Sequence, residues 1–192
     1  MSSLREQKKA RTREALVEAA WKLFRARGFE RTTIDQIASA ADVARSTFFR
    51  YFPNKEAVAF PYQHERLRRF GELLAESAPA EAPLGAIWRA SMDLAEHLDA
   101  NQQQAMAQFA MVQSAPALIT ADREFDHEWE ATIATFLRGR GVGESDARII
   151  GATIFGVLRI TLREWCHAAG EEDIRVIGRK AFELLQSGIK LV

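Results

Sequence analysis

Thr32 to Lys55, TTIDQIASAADVARSTFFRYFPNK, reads as two short helices around a tight turn, with a basic and aromatic end. Thr32 and Thr33 supply a cap and first turn, Asp35 sits near the positive helix N-terminus, and Ile34, Ile37 and Ala38 form an inner face. Asp42-Val43 makes the turn, because Asp tolerates left-handed backbone and Val43 can plug the space between the helices. The spacing predicts a further helix from about Arg45 to Phe52, stopped by Pro53. A helix-turn-helix of this kind places its second helix in the DNA major groove, which is wide enough to admit it and shows a distinct edge for each base pair. Arg45, Ser46, Thr47 and Arg50 offer donors to base edges or phosphates, and Tyr51 and Lys55 reach the flanking backbone. Phe48 and Phe52 fall on the opposite side, with Ile34, Ile37 and Val43.

Outward from this stretch, the formal charge of zero divides unevenly. Residues 1–55 carry twelve Lys and Arg against six Asp and Glu, so the N-terminal segment is +6 and the remainder −6. A basic end with an acidic, apolar body behind it suits a polyanion partner at one end only. The rest of the chain repeats at helical spacing with no alternating strand pattern, which predicts an all-α fold. A first helix is expected over Gln7 to Arg27, with Leu16, Ala20, Leu23 and Phe24 on one face and Gly28 as its stop. A fourth begins after Asn54 and continues toward Glu76 with a kink at Pro61, read as a hinge. After the break at Ser77 to Pro83, five more follow: Leu84 to Asp99, Asn101 to Gln113, Pro116 to Arg138, Ser145 to Ala169 and Asp173 to Gly188. The expected domains are 1–53, a three-helix DNA-binding unit, and 54–192, a helical ligand-binding and dimerisation unit.

Other function classes find little support. The longest apolar run, Ile149 to Leu158, is far short of the roughly 20 residues of a membrane span, and the N-terminus lacks an apolar signal core. Cys166 has no second cysteine to pair with, which fits a reducing cytoplasm. No phosphate-binding loop, nucleophile elbow or zinc-protease motif occurs, and His64, His97, His127 and His167 lack metal-ligand spacing. The expectation is a cytoplasmic protein that is not an enzyme and carries no cofactor and no metal. A helical protein-interaction module is the alternative, but it does not account for the +6 end.

The run GFERTTIDQIASAADVARSTFFRYFPNKEAV resembles the TetR-type transcriptional regulators across the N-terminal domain. The matching positions include Gly28-Phe29, Thr33, Ile37-Ala38, Val43, Thr47, Tyr51-Phe52 and Lys55. The resemblance implies a phosphate contact from Thr33, beside which Thr32 is counted; groove-facing Arg45, Ser46, Thr47 and Arg50; and backbone contacts from Tyr51 and Lys55. Phe49 stands where the family usually has Tyr, so its contact should be weaker, and Ala44 replaces a usual capping Ser or Thr. The resemblance further implies a six-helix body, a homodimer formed through the last two helices, and a small-molecule effector that releases a repressor from a palindromic double-stranded operator. The C-terminal half looks similar to mycofactocin-type and acyl-CoA-responsive regulators.

Within that half, Ile150, Ile154, Leu158, Thr161, Leu162 and Trp165 give an apolar surface too wide for one core-facing stripe. Ile177, Ala181, Phe182 and Leu185 supply a matching stripe on the last helix. Together they fit either an isologous dimer interface or an ordinary monomer core, and the resemblance favours the dimer. Gly151 and Gly156 invite close helix approach. Trp88, Met92, Phe109, Phe125, Trp129, Phe136 and Phe155 are candidates to line a pocket for a large apolar ligand, for which an acyl-CoA is one candidate. Arg159 needs a partner there: Glu164, Glu130 or an anionic ligand. Arg66, Arg68 and Arg69 are candidates to meet the phosphates of such a ligand, or form a solvated face.

Overall fold

The computed structural model describes residues 3–187, which form ten helices and no strand. They are α1 (Leu4–Arg27), α2 (Ile34–Ala40), α3 (Arg45–Tyr51), α4 (Lys55–Ala59), α5 (Gln63–Ala75), α6 (Pro83–Ala100), α7 (Gln102–Ser114), α8 (Pro116–Gly139), α9 (Glu144–His167) and α10 (Ile174–Ser187). The expected end of the last helix at Gly188 lies outside the described residues. Where one kinked helix was expected after Asn54, Pro61 separates α4 from α5. Pro61 is buried and its carbonyl accepts a hydrogen bond from Arg13 Nη2, so this junction is anchored to α1. Tyr62 adds a bond from its hydroxyl to Glu14 at 3.0 Å.

Backbone contacts divide the chain into two compact units. The first takes the described residues up to Gln63 together with Ala110–Ala121; the second takes His64–Phe109 and the described residues from Asp122. In the first unit, Leu16, Ala20 and Phe24 of α1, Ile37 of α2, Phe48 of α3 and Val58 of α4 are all buried. Local hydrogen bonding explains its short helices. Thr33 and Gln36 form a reciprocal capping box on α2, and Asn54 Oδ1 accepts from the Ala57 N–H at the start of α4. Asp42 takes φ +53° in the turn, as its tolerance of left-handed backbone allows. α3 follows Ala44 as its N-cap residue without a side-chain cap, so tertiary packing of Phe48 must hold it.

In the second unit, one core joins α5, α6, α8, α9 and α10 through Phe70, Ile87, Ile133, Ile154, Phe155 and Phe182. A smaller one gathers Ala95, Trp165 and Ile174, with Met92, Leu98, Met106, Leu162 and Ile177 around them. Gly151 lets α9 lie directly on α8: a Cβ there would sit 3.0 Å from the Glu130 carbonyl oxygen and 3.2 Å from the Ala134 nitrogen. Arg140 pins the α5–α6 loop, donating to the carbonyls of Pro79 at 3.0 Å and Ala78 at 3.0 Å and to Ser77 Oγ at 2.5 Å.

Candidate nucleic-acid interface

The packing of Phe48 fixes which side of α3 meets solvent. With Phe48 fully buried, Arg45, Ser46, Phe49 and Arg50 are exposed together, while Thr47 and Tyr51 are half-buried at the margins. Positions i, i+1, i+4 and i+5 share one helical face. That face carries two guanidinium groups, a hydroxyl and an uncovered ring. Arg45 Nη1 donates to Asp35 Oδ2 on α2 at 2.7 Å, and its guanidinium carbon lies 5.5 Å from the Phe49 ring centroid. Arg50 lies 5.4 Å from the Tyr51 ring centroid. A groove of 460 Å³ opens between α2 and α3, lined by Asp35, Ala38, Ser39, Asp42, Val43, Ala44 and Arg45.

Two residues expected on this face do other work. Thr32 is only 1% exposed and its hydroxyl donates to the Gly28 carbonyl at 2.9 Å, so it closes the α1–α2 loop. Thr33 is exposed, with its hydroxyl oxygen accepting from the Gln36 N–H. Lys55 Nζ turns inward to the carbonyls of Phe29 at 2.9 Å and Thr32 at 3.0 Å and rests 4.0 Å from the Phe29 ring centroid. It is a clamp on the same loop, and two of its three donors are committed there. Sequence spacing alone places Lys55 near a phosphate; only the fold shows that the loop carbonyls claim it first.

The candidate pocket residues all fall in the second unit but do not gather at one point. Trp88, Trp129, Phe136 and Phe155 meet the larger core. Trp129 lies 5.2 Å from Phe70 and stacks on Phe155 at 6.0 Å, and Trp88 meets Phe182 edge-on at 4.8 Å. Met92 belongs to the smaller cluster around Trp165. Phe125 packs on His64 at 4.9 Å, and Phe109 on His167 at 5.5 Å. A groove of 410 Å³ between α5 and α8 includes Phe136 among its lining, beside Leu74, Thr132 and Thr135. Arg159 pairs with Asp126 and, at 3.8 Å, with Asp122, rather than with Glu164 or Glu130. Burial raises the Asp122 carboxyl above its ordinary range, and Arg159 opposes that shift. Arg68 and Arg69 are engaged with Glu72 at 2.5 Å and Asp93 at 3.2 Å, and Arg66 with Gln108 at 3.3 Å.

Most of the expected dimer stripe is covered within the single chain. Ile154, Thr161, Trp165 and Phe182 are buried by the chain's own helices, and Leu158, Leu162, Ile177, Ala181 and Leu185 are half-buried; of that set, Ile150 alone is exposed. The apolar side chains α9 and α10 leave to solvent are Ile149 (63% exposed), Ile150, Ile160, Val176 and Leu184. The two faces of α9 run in parallel phase: 154, 158, 161 and 165 inward, 149, 153, 156 and 160 outward. Gly156 sits on the outward face with nothing within 4 Å of a Cβ built there.

Burial pushes the Cys166 thiol up to about 11, far from a reactive thiolate. Among the described residues, no group of three His, Cys, Asp or Glu is placed to hold a metal ion, and no helix is long and apolar enough to cross a membrane.

Residues 16–60 match the family described as bacterial regulatory proteins, tetR family. The HTH-type transcriptional regulator TcmR of Streptomyces glaucescens is 33% identical over 172 residues, covering 84% of this chain and 76% of TcmR. MftR of Mycobacterium tuberculosis, named for transcriptional regulation of mycofactocin biosynthesis, is 24% identical over 162 residues, 82% of this chain and 81% of MftR. Among solved structures, the Thermus thermophilus FadR repressor in complex with lauroyl-CoA superposes with a TM-score of 0.63 at 28% identity, covering 94% of this chain and 96% of that one.

Proposed function

As a member of the tetR family of bacterial regulatory proteins, to which this chain belongs, the protein is a ligand-responsive DNA-binding transcriptional regulator, and we propose that it represses from a palindromic operator as a cytoplasmic homodimer. The observation that carries this reading is the α3 face, where Arg45, Ser46, Phe49 and Arg50 stand exposed together because Phe48 is fully buried. Two copies would place their recognition helices in successive major grooves, about 34–36 Å apart or a multiple of it.

The dimer would form through the outward face of α9 with α10. Ile149, Ile160, Val176 and Leu184 are apolar side chains left partly exposed among the described residues, and burying such a patch is favourable. The effector would be a large, mainly apolar molecule bound in the second unit, where the aromatic side chains concentrate. The lauroyl-CoA bound by the FadR relative supports a long-chain acyl-CoA. Against the phosphate end of such a ligand, Arg68 and Arg69 would first have to leave Glu72 and Asp93. The Trp165 indole N–H is buried without an acceptor among the described residues, so an effector with an acceptor atom would offset a cost of about 1–3 kcal/mol.

The test is a fluorescence-anisotropy titration onto the promoter fragment upstream of the gene, with and without a long-chain acyl-CoA, at two salt concentrations. Tight binding that weakens steeply with salt and is released by the acyl-CoA is expected. Binding indifferent to the acyl-CoA would remove that effector and keep the regulator. Salt-insensitive or absent binding would favour a protein-interaction module.

A further inference from the structure

Phe49 is 45% exposed, and among the described residues it is the one large apolar side chain left uncovered between Arg5 and Arg148. It carries no hydroxyl for a phosphate, yet it stands centrally on the α3 face between Ser46 and Arg50. Its edge-on packing against buried Phe48, with centroids 5.6 Å apart at 85°, holds the ring outward. The major groove offers an apolar side chain one matching feature, the C5-methyl group of thymine.

Arg45 is fixed beside it. Its Nη1 donates to Asp35 Oδ2 at 2.7 Å, and the Phe49 ring centroid, one helical turn on, lies 5.5 Å from the guanidinium carbon. The donors not given to Asp35 stay in a rigid planar fork. A guanidinium held this way suits the O6 and N7 acceptors of guanine better than a freely swinging chain aimed at any phosphate. Because Arg45 and Phe49 are in contact with each other, they can address only neighbouring base pairs, whose spacing is about 3.4 Å.

We infer that Asp35, Arg45 and Phe49 form one specificity unit, in which Arg45 reads a guanine and Phe49 reads the methyl group of a thymine in the adjoining base pair of each half-site. The inference rests on the DNA-binding reading above. Asp35 acts as a positioning residue through Arg45. Phe49 is then a gained base contact and not merely a lost phosphate contact.

The experiment uses the full-length protein and a duplex it selects from random-sequence DNA. Each thymine in the selected half-site is replaced by deoxyuridine, which removes the methyl group alone, and each guanine by 7-deazaguanine, which removes N7. One thymine beside a sensitive guanine should weaken binding about fourfold per half-site when its methyl is removed, the value of one buried carbon group. Phe49→Ala should bind more weakly and ignore that replacement; Phe49→Leu, still apolar, should keep part of the sensitivity. Asp35→Asn should lower discrimination between guanine and adenine at the neighbouring position without altering the deoxyuridine effect. If no thymine is methyl-sensitive, or if the sensitivity survives Phe49→Ala, the methyl reading is overturned. If deazaguanine is harmless at the adjoining position, the Arg45 assignment falls. Failure to select any duplex would instead overturn the DNA reading on which both stand.

Discussion

The α3 face and the outward face of α9 both leave apolar side chains in solvent, but they do so in different chemical company. On α3 a single ring, Phe49, is surrounded by Arg45, Ser46 and Arg50. On α9 the branched side chains Ile149, Ile150 and Ile160 recur along a helix whose outer stripe also holds Thr153 and Gly156. A lone apolar group among donors fits a polar surface with scattered methyl groups, which describes a major groove. A run of aliphatic groups fits a surface like itself, which describes a second copy. The two faces therefore support different proposed partners, DNA for α3 and a second copy for α9.

The largest effect tests the apolar face. Ile149→Asp together with Ile160→Asp should raise the dimer dissociation constant by roughly 30- to 1,000-fold, about 2–4 kcal/mol, with helicity retained. Sedimentation velocity measures this directly; an unchanged oligomeric state would move the interface elsewhere. Ile154→Asp, on the inward face, should instead unfold the second unit, because Ile154 is 4% exposed.

The two α9 glycines sharpen the same contrast. Gly151→Val should cost about 1–3 kcal/mol in urea unfolding, because the Glu130 carbonyl and the Ala134 nitrogen of α8 occupy the space. Gly156→Ala, placed in the dissociated double-Asp background, should add up to about 1 kcal/mol, since nothing stands near it and Ala is the better helix former. A loss of stability there would mean that α9 is covered on its outer face by the chain itself.

A smaller effect separates clamp from contact in the first unit. Lys55→Met should lower stability by about 1–3 kcal/mol, because the Phe29 and Thr32 carbonyls lose their donor. It should leave the salt dependence of operator binding unchanged. Arg50→Ala should do the reverse, weakening DNA binding at constant stability; a reduced salt slope in Lys55→Met would return Lys55 to the phosphate backbone.

What could be read from the chain follows the range of the forces involved. The Thr33 capping box, the Asn54 cap and the left-handed Asp42 involve residues no more than three positions apart, so their chemistry is written side by side in the sequence. The exposure of Arg45, Ser46 and Arg50 on α3 was equally legible, because burying Phe48 in a small core turns them to solvent. The inward bonds of Lys55 were not legible, since its carbonyl partners lie 26 and 23 residues back. Arg159 was given Glu164, Glu130 or an anionic ligand as partner, whereas the crossing of α8 and α9 brings up Asp126 and Asp122. At Pro61 the missing donor was foreseen as a kink; the break between α4 and α5 is held by Arg13, far earlier in the chain.

By itself, then, the sequence determined an all-α chain, a basic helix-turn-helix end, the cap and turn residues that set its short helices, and the presence of two apolar faces on α9. These follow from periodicity, charge and bonds between near neighbours. Only the tertiary structure decided which α9 face the chain covers for itself, which cations are spent on its own carbonyls and carboxylates, and that Asp35 holds Arg45 beside an uncovered Phe49. Those choices depend on where distant helices cross, and a repeat of 3.6 residues per turn specifies a face without specifying what will meet it.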